Sequence, residues 1–279
     1  MQRERVSDNI YWFQSETYAQ VCAGVVAGPK WAVVIDTLMP QESLSIRNFV
    51  ESKLGLPVRY VINTHHHADH CWGNCFFPEA TIIGHQQCRQ MLIDRTPSAL
   101  EVARQENSLY KDLTIIPPEI TFQDGILTLQ VGKKHLIIFH TPGHSADGIS
   151  ILVEEERILF AGDAFMPLPF IVEGNLEQYI ETIQIFPDMG LENIIQGHGA
   201  IILRGEIKDK VKQNITYLKA IQKVVKTAMH RNNPLEILDN IDVEACGKSR
   251  ILLGGLAGEL HRRNLRYLYL LALEEQKNI

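Results

Sequence analysis

The sequence of 279 residues has no uninterrupted apolar run of about 18 residues, the length that a membrane-spanning helix needs, so no membrane span is expected. Its first residues carry charges but no apolar core of signal-peptide length, and we therefore expect a cytoplasmic location. Low-complexity segments and recognisable repeats are also lacking. Cysteine is scarce, and the odd number of five in a chain of this size predicts reduced thiols rather than disulfides.

Neither the composition nor the charge is typical of a disordered or polycationic chain. Hydrophobic residues make up 45% and charged residues 22%, as in ordinary globular proteins. Residues 1–204 carry 14 basic and 24 acidic side chains, a net charge of −10, whereas residues 205–279 carry 13 and 9, a net charge of +4. The acidic excess over most of the chain argues against nonspecific binding to nucleic acid, so no nucleic-acid partner is expected.

Short runs rich in β-branched residues occur in two series along the chain, and such runs predict strands. The first series lies near 21–26, 32–36, 58–62 and 81–84, and the second near 126–131, 135–140, 149–153 and 157–161. Apolar residues over 41–53 have the spacing of a helix between two strands. Gly132 lies between two runs of the second series and indicates a hairpin.

The pattern changes after residue 199, where apolar residues recur three and four positions apart. From Ile207 to Ala228 this spacing predicts an amphipathic helix of about 25 residues that stops before Asn233-Pro234. Leucines on one stripe predict a second helix over 250–276. Helices of this kind usually pack on a sheet, and we expect the same here.

The most informative segment is Asn63-Thr64-His65-His66-His67-Ala68-Asp69-His70, which follows the predicted strand 58–62 and precedes a predicted helix. On an extended turn His65 and His67 point the same way, so both can reach one metal ion. Asp69 and His70 begin the next turn of the chain and can face a neighbouring ion. Imidazole and carboxylate groups suit borderline divalent metals, zinc first among them. Asp69 can also cap the start of the helix.

Three further ligand-type residues follow predicted strands downstream. His144 lies in the sequence TPGHS, where the Pro-Gly pair predicts a tight turn at the rim of the sheet. Asp163 follows the run near 157–161, and His198 lies between two glycines after an apolar run. A single residue of this kind is more often a turn residue or a cap. Together with the segment at 63–70, the three predict a shared metal site.

The order and spacing of His65-x-His67-x-Asp69-His70, then His144, Asp163 and His198, resemble the metallo-β-lactamase superfamily. The resemblance spans residues 35–200 and is specific for the superfamily but not for a substrate. It implies an α/β fold, an αββα four-layer sandwich with metals at one edge between two sheets, here with extra C-terminal helices. A soft boundary then separates a catalytic domain, 1–203, from a C-terminal helical region, 204–279, that we expect to pack on the same domain.

The resemblance also implies two metal sites in this chain. The ligand sets would be His65, His67 and His144 for the first ion and Asp69, His70 and His198 for the second. Asp163 would bridge the two ions. Asp36, at the end of an early predicted strand, is interpreted as an outer group that orients the ligands. Because all seven ligand positions are filled, a dinuclear centre is favoured over a mononuclear one.

Such a centre predicts a hydrolase. Two neighbouring divalent ions, with zinc expected and iron or manganese as alternatives, lower the pKa of a shared water, so that a metal-bridging hydroxide is available near neutral pH. The predicted reaction is hydrolysis of a small-molecule ester, thioester, lactone or lactam. The predicted catalytic residues are Asp69, which orients the hydroxide or hands on a proton, and Asp163, on which both ions depend.

Several sequence features bear on the substrate. The runs THHHADH-x-x-GN, TPGHS and LFAGDAF are most similar to the glyoxalase-type thioesterase and general metallo-hydrolase branch of the superfamily. The apolar segment 165–170 predicts either a loop packed into the core or a hydrophobic wall for an acyl group or ring. Arg262 and Arg263 predict either a solvated helix face or a contact with an anionic substrate.

Three other functions are alternatives. A phosphodiesterase or RNA-processing nuclease of the same superfamily would use the same metals, but it predicts a basic groove that is not visible in the acidic segment 1–204. An iron-dependent sulfur dioxygenase would hold a single iron. A binding protein that kept the fold without turnover would usually lack ligands, whereas this sequence has all of them.

Other residues near the motif have a plainer interpretation. His66 lies between two ligands and is expected to point away from them. Cys71-x-x-x-Cys75 has the spacing of a metal pair but is interpreted as two small apolar residues on one helical face. The histidines without ligand-like company, which we interpret as ordinary, are His85, His135, His140, His230 and His261.

Overall fold

Two β-sheets form the centre of the chain in the computed structural model, which describes residues 1–277. The strands of the first sheet are β1 (Gln2–Ser7), β2 (Ile10–Gln14), β3 (Cys22–Ala27), β4 (Ala32–Ile35), β5 (Val58–Ile62), β6 (Thr81–His85) and β7 (Ile120–Phe122). Their order in the sheet follows the order in the sequence. Neighbouring strands are antiparallel from β1 to β4 and parallel from β4 to β7.

The second sheet comes from the second predicted series of strands. Its members are β8 (Ile126–Val131), β9 (Lys134–His140), β10 (Ile149–Val153), β11 (Ile158–Gly162), β12 (Asn193–Gln196) and β13 (Ile202–Leu203). The spatial order is β13-β12-β11-β10-β9-β8, and every pair is antiparallel except β11 with β12. The hairpin predicted at Gly132 is confirmed, because Val131 pairs with Lys134 and Gly132 has a φ of 66°.

The helices within residues 1–277 are α1 (Pro40–Asn48), α2 (Ala68–Cys71), α3 (Gln86–Asp94), α4 (Thr96–Glu106), α5 (Leu176–Gln184), α6 (Ile207–Ala228), α7 (Pro234–Asp239) and α8 (Ala257–Lys277). The helix predicted over 41–53 is confirmed, since α1 continues through a π-helical turn at Phe49–Lys53. No helix in this part of the chain combines the length and apolar character that crossing a membrane requires. All five cysteines are free thiols, as predicted.

The two sheets pack face to face around a common apolar core. Val33 of β4 and Ile62 of β5 lie in the same buried cluster as Ile138 of β9 and Phe160 of β11. Removal of these side chains from water is the main favourable contribution to folding, on the order of 25 cal/mol per Å² of apolar surface. The central strands β3, β4, β10 and β11 are buried at every position, which accounts for their nearly continuous apolar runs.

Helices cover the outer face of each sheet. On the first sheet, Val34 and Val61 pack with Ile46 of α1. On the second sheet, Leu152 and Ile194 belong to a cluster that also contains residues of α5, α6 and α8. The order of layers is thus helix, sheet, sheet, helix, which confirms the predicted αββα sandwich.

The C-terminal helices differ in one respect from the prediction. Helix α6 is confirmed, but α8 begins at Ala257, so the predicted start at residue 250 is wrong. Leu253 and Gly254 have φ values of 56° and 67°, in the left-handed region. A right-handed α-helix cannot pass through these two residues, so α8 can start only after them. The boundary near residue 203 stays a prediction, and Leu218 of α6 and Leu265 of α8 pack in the cluster that covers the second sheet.

Gly24 tests the fit between the two sheets. A Cβ atom on this residue would lie 2.1 Å from a ring carbon of Phe160, which faces it from the opposite sheet. We expect Gly24→Ala to lower the free energy of unfolding by about 1–3 kcal/mol, the usual cost of overpacking a core. Urea denaturation measures the change. Gly205→Ala is the matched control, because no atom lies within 4 Å of its added Cβ, and equal losses in both variants would contradict this account.

Candidate metal centre

The turn between β5 and α2 carries His65 and His67, and α2 itself carries Asp69 and His70. The turn leaves the sheet after Ile62, and His67 occupies the N-cap position of α2. The backbone N–H of Thr64 donates a hydrogen bond to Asp36 Oδ1 at 2.7 Å, which fixes the start of the turn to the end of β4. Asp69 lies inside the first turn of α2, so its predicted role as the helix cap is wrong.

Four side chains form the first group of possible ligands, namely His65, His67, His144 and Asp163. His67 Nδ1 lies 2.9 Å from His65 Nε2 and 2.9 Å from His144 Nε2. Asp163 Oδ2 lies 3.4 Å from His144 Nε2 and 3.8 Å from His65 Nε2. One ligand atom from each residue lies within 4.8 Å of all the others, and this spacing suits a single ion at about 2 Å from each ligand.

The second group contains Asp69, His70 and His198, again with ligand atoms within 4.8 Å of one another. Asp69 Oδ2 lies 3.5 Å from His198 Nε2 and 3.9 Å from His70 Nε2. Asp69 and His70 come from α2, whereas His198 follows β12 in the other sheet. The structure therefore brings together all seven residues that the sequence analysis predicted as ligands.

Asp163 lies between the two groups. Its Oδ1 is 3.3 Å from His70 Nε2, and its Oδ2 is 3.4 Å from His198 Nε2. The Tyr179 hydroxyl donates a hydrogen bond to the backbone carbonyl of Asp163 at 2.6 Å. Gly197 leaves the space for the carboxylate, because a Cβ atom there would lie 1.8 Å from Asp163 Oδ1. One carboxylate is thus held where it can serve both groups.

Hydrogen bonds at the outer ring nitrogens orient two of the histidines. His144 Nδ1 donates to the carbonyl of Phe170 at 2.6 Å, and His198 Nδ1 donates to the carbonyl of Ala19 at 2.9 Å. A carbonyl oxygen only accepts, so each Nδ1 carries a proton, and Nε2 is the ring nitrogen that faces Asp163. This is the arrangement by which proteins orient metal-binding imidazoles.

Asp36 orients two more of the imidazoles. Its Oδ2 accepts a hydrogen bond from His70 Nδ1 at 2.8 Å and one from the Thr64 hydroxyl at 2.7 Å. The Thr64 hydroxyl oxygen in turn lies 3.1 Å from His65 Nδ1. The prediction that Asp36 orients the ligands is confirmed by these contacts.

The unpaired atoms and the charges of the two groups fit divalent metal ions. His70 Nε2 and Asp163 Oδ1 are buried without a hydrogen-bond partner among the described residues. Burial and the neighbouring imidazoles lower the pKa of His65 and His67 well below the usual value, so both rings are neutral and offer lone pairs. Burial opposes ionisation of Asp163, but the imidazoles of His198 and its neighbours hold its pKa well below the usual range. Burial opposes protonation of His70 and His198, but the carboxylate of Asp163 raises the pKa of both rings, so each would release its proton to a bound metal. Imidazoles and a carboxylate together form a donor set typical of zinc.

His66 belongs to neither group of possible ligands within residues 1–277, although its ring centroid lies 4.5 Å from that of His67. It contacts Asp147, which the sequence analysis missed. The backbone N–H of His66 donates to Asp147 Oδ2 at 2.8 Å, and its Nδ1 lies 3.0 Å from Oδ1. Although burial raises the pKa of Asp147, the hydrogen bond from His66 outweighs it and the pKa is lowered. Asp147 precedes β10, so this pair ties the ligand turn of one sheet to the other.

A cleft of about 450 Å³ opens over both groups of ligands. The predicted ligands that line it are His67, Asp69, His144, Asp163 and His198. Its apolar wall consists of Met166, Phe170, Val172, Leu253, Leu256 and Leu260. The C-terminal helical region therefore forms part of the cleft, a contribution that the sequence pattern did not reveal.

Segment 165–170 lies partly in the core and partly at the cleft, so the core interpretation is confirmed in part and a wall for an acyl group or ring stays a prediction. Phe165 and Leu168 are buried in the core that covers the second sheet, whereas Met166 and Phe170 line the cleft. Arg263 also lines the cleft, at its exposed rim, where its guanidinium lies 2.9 Å from the carboxylate of Glu259.

The two cysteines next to the motif are not among the possible metal ligands found in residues 1–277. The Cys71 thiol donates to backbone carbonyls of the ligand turn, and Cys75 packs against the same small apolar cluster, as predicted. His135, interpreted as ordinary, forms a third and more exposed group with Glu154 and Glu155. Its Nδ1 lies 2.6 Å from the carboxylate of Glu155, which is a hydrogen-bonded pair at the surface without a buried unpaired atom.

Several curated proteins are similar to this chain. The Caenorhabditis elegans "Beta-lactamase-like protein 2 homolog" is 24% identical over 197 residues, 70% of this chain and 60% of the relative. The Neosartorya fischeri "Lactamase-like protein nscB" is 28% identical over 162 residues, 58% of this chain and 42% of the relative. The human "Acyl-coenzyme A thioesterase MBLAC2" is 26% identical over 232 residues, 69% of this chain and 79% of the relative. The chain thus spans only about half the length of the first two relatives.

Solved structures share the fold. A metallo-beta-lactamase family protein from Thermus thermophilus has a TM-score of 0.71 at 17% identity, covering 98% of this chain and 95% of that protein. A metallo-beta-lactamase from Pontibacter korlensis has a TM-score of 0.60 at 18% identity, covering 76% and 97%. The family profile described as "Metallo-beta-lactamase superfamily" matches residues 18–220. The chain therefore belongs to the metallo-beta-lactamase superfamily.

Proposed function

We propose that the chain is a dinuclear metal-dependent hydrolase, with zinc as its metal, that acts on a small acyl thioester or a related ester. The observation that carries this proposal is the position of Asp163, whose two oxygens face His70 on one side and His144 and His198 on the other. A carboxylate within reach of two ligand sets is what a pair of divalent ions requires. The four-residue and three-residue groups supply enough donors for both ions.

Each ligand group would hold one ion. The proposed ligands are His65, His67 and His144 for the first ion and Asp69, His70 and His198 for the second, with Asp163 shared. Paired divalent ions lower the pKa of a bound water and polarise a carbonyl oxygen. The hydrogen bonds to Asp36, Phe170 and Ala19 keep the imidazoles facing inward before an ion binds, so little reorganisation is needed.

Asp69 is the proposed proton acceptor. Its side chain is 14% exposed, compared with 5% for Asp163, and it lines the cleft. The Asp69 carboxylate is therefore more open than that of Asp163 to a water molecule and to a substrate carbonyl in the cleft. A proton held there can be returned to the leaving group, which requires no serine or cysteine nucleophile.

An acyl thioester is the substrate class that the cleft favours. Six apolar side chains form one wall, and Arg263 and Tyr18 lie at the rim. An acyl chain can occupy the wall while a polar or anionic carrier extends toward the arginine. The human relative named as an acyl-coenzyme A thioesterase supports this choice over a lactam or a phosphodiester.

Asp163→Ala tests the shared carboxylate. We expect its metal content to fall from about two ions per chain to fewer than one, and hydrolysis to fall by more than about 100-fold, beyond the usual loss for an outer partner. Elemental analysis of the purified variant, with a thioester assay, measures both. His230→Ala is the control, because His230 is exposed and outside both groups. Unchanged metal content in Asp163→Ala, or a single iron with oxygen uptake in the unmodified protein, would contradict the proposal.

Removal of the metal tests the reaction and the stability together. A chelator such as dipicolinate should abolish thioester hydrolysis and lower the midpoint of thermal unfolding, since an ion at about 1,000 times its Kd stabilises a protein by about 4 kcal/mol. Zn²⁺ should restore both properties. Mg²⁺ should restore neither, because it prefers oxygen ligands in octahedral geometry. Full activity after complete removal of metal would contradict the proposed metal-dependent hydrolysis.

Leu260→Asp tests the apolar wall. We expect kcat/KM for an octanoyl thioester to fall by about 10-fold or more, since each buried CH₂ contributes about 0.8 kcal/mol, whereas an acetyl thioester changes little. Leu270→Asp is the control on the same helix, because Leu270 is 56% exposed and does not line the cleft. Equal losses for both acyl lengths, or turnover of bis-p-nitrophenyl phosphate alone, would rule out an acyl-binding wall.

A further inference from the structure

The loop of residues 166–171, which lies between Asp163 and α5, is held by side chains from the C-terminal helical region. Three side chains donate hydrogen bonds to its backbone carbonyls. Asn214 donates to the carbonyl of Met166 at 3.0 Å, Lys248 to that of Pro167 at 2.7 Å, and Asn264 to that of Pro169 at 2.8 Å. The backbone N–H of Ile171 donates to Asn264 Oδ1 at 2.9 Å. Asn264 is thus the residue that holds this loop at two points.

One peptide group of this loop connects Asn264 to a metal-ligand candidate. The carbonyl of Phe170 and the N–H of Ile171 belong to the same planar peptide unit and point in opposite directions, since the bond is trans. The carbonyl accepts the proton of His144 Nδ1 at 2.6 Å, and the N–H donates to Asn264 Oδ1. The imidazole and the amide therefore lie at the two ends of one peptide plane.

The amide of Asn264 has no freedom to turn. Its side chain is fully buried on α8, and its Nδ2 donates both to Pro169 and to the Tyr217 hydroxyl, the latter at 3.0 Å. With Oδ1 occupied by the N–H of Ile171, the nitrogen and oxygen cannot exchange places without two donors facing each other. The Asn264 side chain thus fixes α8 to Pro169 and Ile171, which lie 95 and 93 positions earlier in the sequence.

We propose that Asn264 is a positioning residue for His144, acting through the peptide unit of Phe170 and Ile171. The proposal rests on the proposed function, because it takes His144 as a metal ligand. Asn264 holds the Phe170 carbonyl where it fixes the tautomer and tilt of the imidazole, so that His144 Nε2 points at His67 and Asp163. Hydrogen bonds in series also polarise one another, which makes Nε2 a stronger donor to a metal.

Asn264→Leu tests this inference, because leucine has a similar shape and removes every hydrogen bond. The metal affinity of one of the two sites should fall by about 10- to 100-fold, the loss that is typical when the outer partner of a metal ligand is removed. Competition with a chromophoric chelator measures this affinity. The visible absorption of the cobalt-substituted protein should change as well, because the ligand field at His144 changes. A purely structural role would move neither readout.

Tyr217→Phe is the matched control. It removes the hydroxyl that contacts Asn264 and His261 but leaves both hydrogen bonds between Asn264 and the loop. We expect it to lower the stability without changing metal affinity or the cobalt spectrum. If Asn264→Leu and Tyr217→Phe both bind two ions as the unmodified protein does, the inference is overturned while the proposed function stands. If the unmodified protein binds no divalent ion, the proposed function itself fails.

If Asn264→Leu does not fold, Asn264→Ser tests the positioning role of Asn264 instead. Serine keeps a polar group, but its hydroxyl is too short to reach Pro169 and Ile171 together, and the space it leaves can admit water. The same loss of affinity and change of spectrum are expected. A serine variant with both properties unchanged would overturn the inference.

Discussion

The interaction on which the site depends is that of a single buried carboxylate with four imidazole rings. Asp163 lies within 4 Å of nitrogens of His65, His70, His144 and His198. Without compensation, so many polar groups removed from water would destabilise the fold. The surrounding structure compensates for the burial of these polar groups in two ways. It gives the outer nitrogens of these rings fixed partners, and it leaves space at Gly197 for the carboxylate itself.

The sheet topology explains why residues so far apart in sequence meet. Strands β4 and β5 are parallel, and so are β11 and β12, so the residues that follow each of these strands emerge at one edge. The turn after β5 contributes His65 and His67, and the segments after β11 and β12 contribute Asp163 and His198. The two sheets face each other across their apolar core, which brings both edges to the same cleft.

Four of the seven candidate ligands and most strands could be predicted from the sequence because they are encoded locally. The segment at 63–70 places its ligands within a few positions, and β-branched runs have a short period. Asp147, Asn264 and the cleft wall from α8 could not be predicted, because each depends on a contact between distant segments that leaves no periodic signal. The start of α8 was missed for another reason: Leu253 has a left-handed φ that its residue type does not suggest.

Helix α8 combines two very different kinds of position. Leu256 precedes it and Leu260 lies in its first turns, and both line the open cleft, whereas Asn264 is fully buried one turn further along. Substitutions at the first two can alter the shape of the cleft without removing any hydrogen bond to the loop. The lining of the cleft can therefore diverge among descendants of this protein, in nature or in a directed-evolution library, while the seven grouped side chains and their hydrogen bonds are inherited unchanged.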